Sequence, residues 1–166
     1  MIRNTKRKGG PRIAHVARKM ALGIILCVAA GCTAHAITAQ VVDVYDGDTL
    51  TVELDGTRER VRLIGIDAPE VKDNRHGPAS EYGPAAGLYL TALVGGRTVE
   101  LVLGVKERDG YGRLLAYVYL DGVFINLEMV RAGYAEVYTY PPDVAYAGEY
   151  LAAEREARAK GRGLWR

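Results

Sequence analysis

The sequence predicts an α+β fold: a small five-stranded Greek-key barrel carrying three helices. Three observations lead there. Short runs of alternating apolar and polar residues recur after residue 40, separated by Asp-Gly pairs. Stretches with helical spacing end at glycine. The order is three strands, a helix, two strands, then two helices, which suits a curved barrel with helices over its openings.

The first two strands flank Asp46-Gly47-Asp48. Val42 and Val44 alternate on one side and Leu50, Val52 and Leu54 on the other, a hairpin signal. Asp48 shares parity with Leu50, Val52 and Leu54 and so points to the apolar face. A carboxylate there needs a cation or hydrogen-bond donors. Asp46 is the better candidate for a plain turn residue. Asp55-Gly56 turns the chain into a third strand, 58–66. Its run Val61-Arg62-Leu63-Ile64-Gly65-Ile66 reads as buried on both faces. Arg62 inside that run is either a snorkelling surface arginine or one held rigidly enough to grip a phosphate.

This strand delivers Asp67-Ala68-Pro69-Glu70. Pro69 fixes its own φ and holds Ala68 extended, so two carboxylates three residues apart sit on a stiff segment. That pair suits a hard cation such as Ca²⁺ or Mg²⁺; the alternative is a cap for the next helix. Residues 71–83 read as a polar loop with Lys72, Arg75 and His76. Pro84, then Leu88, Leu90, Leu93 and Val94, predict a helix over about 82–94, stopped by Gly95-Gly96. Val99, Leu101 and Leu103 make a fourth strand, 104–110 a charged loop, and Tyr111-Gly112-Arg113 opens a fifth strand through Leu120. A short helix runs from Ile125 to Ala132, closed by Gly133. Tyr134, Tyr138, Tyr140 and Pro141-Pro142 follow, and Asp143 caps a last helix over about 144–160. Glu154, Arg155, Glu156, Arg158 and Lys160 give that helix a solvated face. An OB-fold is the leading candidate, and such barrels bind oligonucleotides on one face.

The formal net charge of +2 conceals two unlike parts. Residues 1–36 hold seven basic residues and no acidic one, which leaves 15 Lys and Arg against 20 Asp and Glu, a net of −5, for 37–166. Residues 1–36 have the layout of a signal peptide: a basic stretch, the apolar run 20–30, and an A-x-A site at Ala34-His35-Ala36. Cleavage there would export a chain beginning at Ile37, to the periplasm or the exterior. Ala30-Gly31-Cys32 offers lipid anchoring at Cys32 as the lesser alternative, because Ala29 stands where a leucine is usual. Both cysteines lie before residue 37, so the exported chain would have no disulfide and no thiolate zinc site. His76 would be its one histidine, and carboxylates and arginines are the chemistry available.

Three motifs stand in order: Asp46-Gly47-Asp48-Thr49, Arg62-Leu-Ile-Gly-Ile-Asp67-Ala-Pro-Glu70 and Asp109-Gly-Tyr111-Gly-Arg113. With Glu81-Tyr82-Gly83-Pro84, Val130-Arg131-Ala132-Gly133-Tyr134-Ala135 and Gly161-Arg-Gly-Leu-Trp165, they resemble the staphylococcal nuclease (thermonuclease) family over about residues 40–166. The resemblance implies an OB-fold barrel with three helices and a single Ca²⁺. Asp48 and Asp67 would be direct ligands and Ala68 would offer its backbone carbonyl. Glu70 would act through a water at the metal, as candidate general base. Arg62 and Arg113 would flank the scissile phosphate, with Tyr111 against the nucleotide and Tyr138 or Tyr140 closing the pocket.

The implied reaction is hydrolysis of single-stranded DNA or RNA to products ending in 3′-phosphate, by a monomer. The residue types agree with that chemistry: carboxylates hold a hard cation and orient water, and two planar guanidiniums bind phosphate oxygens as forks. The chain departs from the family pattern at Gly110, where a lysine is frequent, in a shorter and less lysine-rich loop after Glu70, and in a tyrosine segment one residue short. The net charge of −5 over residues 37–166 predicts weak long-range attraction to polyanions. The alternative function is a non-catalytic module on the same barrel, binding oligonucleotide or protein.

Overall fold

A computed structural model describes residues 36–71 and 80–166. The predicted signal segment up to residue 35 and the Lys72, Arg75 and His76 positions lie outside the described residues.

Strand β1 (Ile37–Val44) pairs antiparallel with β2 (Thr49–Leu54), which pairs with β3 (Thr57–Leu63) in a register that sets Thr49 opposite Arg62 and Leu54 opposite Thr57. On its other edge β1 meets β5 (Thr98–Arg108), and β5 meets β6 (Leu114–Leu120). A parallel pairing of β3 with β6, Val61 opposite Leu114, closes the barrel of five strands. The OB-like Greek-key barrel and its three helices are therefore present as the alternation predicts. Val41, Leu50, Val52, Val61, Leu101 and Val118 fill its interior.

Helix α1 (Gly83–Val94) carries Pro84 in its first turn. Its buried stripe is Ala86, Leu90 and Val94, four residues apart, whereas Leu88 is 71% exposed. Helix α2 (Ile125–Arg131) follows the two-residue strand β7 (Val123–Phe124). Helix α3 (Ala147–Ala159) buries Tyr150, Ala153 and Ala157. Its outer face is laced by Glu154–Arg158 and Glu156–Lys160 pairs, as a solvated face should be. No helix among the described residues is long and apolar enough to cross a membrane.

Three expectations are corrected. The strand read as 58–66 is broken: β3 stops at Leu63, and Gly65–Asp67 forms a separate strand, β4, paired with β8 (Glu136–Tyr138). Gly65 takes φ +85°, and a Cβ there would run into the Tyr150 ring. The freed backbone is satisfied from inside. The Ile64 carbonyl accepts from the buried Asn126 amide and the Tyr150 hydroxyl, each at 2.9 Å, while Ile64 N–H donates to Ala116. The charged stretch 104–108 continues β5 instead of forming a loop, and its exposed side chains suit a strand that bends away from the core. Asp143 does not cap α3; its carboxylate accepts from Val105 N–H at 2.6 Å, and Tyr146 is the residue at the helix start.

Candidate functional site

The break between β3 and β4 aims two side chains, Arg62 and Asp67, at one open cleft of about 930 Å³ on the outer face of the barrel. Asp46, Asp48, Glu70, Asp109, Tyr111, Arg113, Tyr138 and Tyr140 line the same cleft.

The carboxylate side is built on the turn between β1 and β2. Asp48 N–H donates to Asp46 Oδ1 at 3.0 Å, which tightens the turn. Gly47 is required there: a Cβ would sit 2.6 Å from the Cβ atoms of Ala68 and Ala86. The turn is thereby pressed against both the Asp67–Glu70 segment and α1. Asp48 is buried and well supplied with donors. Its Oδ1 accepts from the Thr49 hydroxyl at 2.9 Å and its Oδ2 from Ala68 N–H at 2.8 Å. Arg62 Nη2 bridges Asp48 at 3.2 Å and Asp67 at 2.7 Å, while Nη1 donates to the carbonyls of Leu63 and Ile66. Arg62 is thus a rigidly held arginine and not a snorkelling one. Glu70 is fixed through its backbone: its carbonyl accepts from Ser80 N–H and lies directly under Gly83, leaving no space for a Cβ on that glycine.

The arginine side is a turn between β5 and β6. Asp109 accepts from the backbone N–H groups of Tyr111 and Arg113 and pairs with Arg113 Nε at 2.7 Å. Burial works against the Asp109 charge, but these hydrogen bonds prevail and hold its carboxyl below the usual value. The Arg113 guanidinium lies 5.5 Å from the centre of the Tyr111 ring. Thr49 links the two sides, donating to Asp48 and accepting from Arg113 Nη1 at 3.2 Å. Thr49 and Asp109 belong to the motifs that the sequence displays, yet sequence reasoning gave neither a role. Their signal was the Asp-Gly turn four residues before Arg113 and a hydroxyl next to Asp48.

Tyr138 and Tyr140 both reach the cleft, 60% and 74% exposed. Tyr138 is set opposite Gly65 by the β4–β8 pairing, and Tyr140 is held by a bridge to Asp143. Every residue named from the sequence for catalysis or substrate binding lines this cleft; Ala68 lies just beneath, bonded to Asp48.

The charges suit a cation. Six carboxylates line the cleft (Asp46, Asp48, Asp67, Glu70, Asp109, Asp143) against four cations (Arg60, Arg62, Lys106, Arg113). Burial and the neighbouring Asp48 charge push the Asp46 pKa up to about 6. Partial burial also raises Asp67, with Asp48 and Glu70 adding to the rise and Arg62 opposing it. Among the described residues no three His, Cys, Asp or Glu side chains form a metal cage by themselves. The lining carboxylates and neighbouring backbone carbonyls are the donor types that a hard divalent cation takes.

Fold and cleft together define a class: an OB-type barrel with a carboxylate–arginine site on its outer face. Comparison with known proteins narrows it. The family model described as staphylococcal nuclease homologue matches residues 60–166. The chain is 39% identical over 123 residues to a thermonuclease of Staphylococcus intermedius, covering 74% of this chain and 72% of that protein. It is 38% identical over 143 residues to an uncharacterized endonuclease of Haemophilus influenzae, covering 86% and 74%. An uncharacterized endonuclease of Escherichia coli is 40% identical over 131 residues, covering 78% and 77%. The chain belongs to the staphylococcal nuclease family.

Proposed function

We propose that this protein is an exported, Ca²⁺-dependent nuclease that hydrolyses phosphodiester bonds of single-stranded DNA, RNA or both. The family's relatives named as nucleases support phosphodiester hydrolysis as its activity. The observation that carries the finer reading is the meeting of Arg62, Asp67, Glu70 and Arg113 on one cleft, tied together through Asp48 and Thr49. In this reading Asp48, Asp67 and the Ala68 carbonyl would hold the ion, with Glu70 contributing through water. A bound Ca²⁺ would polarise a non-bridging phosphate oxygen and offset the repulsion among the carboxylates.

Glu70 is the group that removes a proton from the attacking water. Its backbone is fixed under α1, and its side chain opens to the cleft. Arg113, pre-set by Asp109 and Thr49, offers a fixed guanidinium to phosphate oxygens whose charge grows as the pentacoordinate state forms. Arg62 does the same from the other side, beside the carboxylates. Tyr111, Tyr138 and Tyr140 supply ring faces and edges for the nucleotide. The 5′-oxygen leaves, so products end in 3′-phosphate. The protein acts as a monomer after removal of residues 1–36.

The test is end-group analysis of cleavage products from single-stranded DNA and from RNA over a Ca²⁺ titration. Products carrying 3′-phosphate and 5′-hydroxyl, formed in proportion to Ca²⁺ occupancy, are expected. A folded protein that yields no products at any Ca²⁺ concentration, or yields 5′-phosphates, contradicts the proposal.

A further inference from the structure

Along β3, residues 60 and 62 share a face, because side chains alternate along a strand. Arg62 is shared with Asp48, Asp67 and two carbonyls. Arg60, also lining the cleft, makes no ion pair among the described residues. Its guanidinium stands 4.9 Å from the centre of the Tyr45 ring. Tyr45 is 59% exposed, at the end of the turn that presents Asp46 and Asp48. Two features make this pair unlike an ordinary surface contact. It is continuous with the cleft, and it joins an exposed ring to an unneutralised guanidinium on a surface whose surroundings are acidic. An exposed cation–π pair adds little to stability. Yet an aromatic face beside a fixed cation is the combination that holds a base and its phosphate in single-strand binding.

We propose that Arg60 and Tyr45 form an auxiliary nucleotide subsite, which takes the phosphate and base next to those at the scissile position. The inference rests on the nuclease reading for its register along the strand. Arg60 grips a non-bridging phosphate oxygen, and the base stacks on the face of Tyr45 that the guanidinium leaves open. The subsite gives the protein a local cation where its net charge of −5 after residue 36 supplies no long-range attraction. It favours substrates long enough to reach it over a single isolated phosphodiester.

The experiment measures binding of a labelled oligothymidylate, long enough to span the cleft, to the full chain in chelator over a series of salt concentrations. Wild type is compared with Arg60→Ala, Arg60→Lys, Tyr45→Ala and, as a charge control outside the cleft, Arg155→Ala. Arg60→Ala is expected to weaken binding about three- to tenfold and to flatten the salt slope by about 0.7, the loss of one phosphate contact on a single strand. Arg60→Lys should restore the slope, and Tyr45→Ala should weaken binding about fivefold or more with the slope unchanged. If Arg60→Ala has the same affinity and slope as Arg155→Ala, the subsite is overturned. So it is if Arg60→Lys fails to recover the slope while its melting curve matches wild type. Wild-type cleavage with Ca²⁺ is scored separately: absent cleavage with Arg60-dependent binding sinks the nuclease reading alone, and cleavage with Arg60-independent binding sinks the subsite alone.

Discussion

The two arginines of the cleft are held in opposite ways. Arg62 is woven into the barrel: two backbone carbonyls, a buried aspartate and Asp67 all depend on it. Arg113 belongs to a compact turn whose organiser, Asp109, is four residues away, and among the described residues its distant hydrogen-bond partner is the Thr49 hydroxyl. The same side-chain type thus does two jobs on one surface. One arginine is as much a part of the fold as of the site, and the other is carried by the fold as a separable device. Substitutions at the two positions should therefore differ in kind.

The largest effect is expected for Arg62→Ala. It leaves Asp48 buried without its cation and two carbonyls without a donor, at a cost of about 2–4 kcal/mol in stability together with loss of turnover. Denaturant melts read the first and cleavage kinetics the second. Arg113→Ala should lower kcat about 10²–10³-fold while costing about 1 kcal/mol or less, because Asp109 keeps its two backbone donors. Equal destabilisation by the two substitutions would break the comparison.

A smaller effect sharpens it on the carboxylate side. Burial and the neighbouring Asp48 charge push the Asp46 pKa up from 3.8 to about 6, so the fold favours its protonated form. The stability this gives is fully present below about pH 4 and is lost as pH rises through 6. Asp46→Asn keeps the acceptor for Asp48 N–H and removes that loss. In chelator the variant should match wild type near pH 4 and exceed it by about 1–2 kcal/mol at pH 8, in paired denaturant melts. Added Ca²⁺ should narrow the difference.

Much of this architecture is legible in the sequence, for local reasons. Asp-Gly turns between alternating runs mark the hairpins, and glycine marks each helix end. What stays hidden depends on distant partners. Nothing in Val61–Ile66 except Gly65 announces a break, because β8, Asn126 and Tyr150, which make it affordable, lie far along the chain. Asp143 has the look of a helix cap, and only the packing of its loop against Val105 gives it another use. In the site, the ligand-type residues were readable as motifs, while the residues that aim them were not. Thr49 and Asp109 work through hydrogen bonds whose far ends the sequence does not display. Arg60 and Tyr45, outside any motif, meet only because β2 lies between them.

The most direct test of the central claim is cleavage of labelled single-stranded DNA by residues 37–166, with Ca²⁺ and then with chelator, beside the Glu70→Gln protein. Cleavage is expected to stop in chelator and to fall by about two orders of magnitude or more in Glu70→Gln, with melting curves that superimpose. Cleavage at the wild-type rate in chelator, or by Glu70→Gln in Ca²⁺, would contradict it.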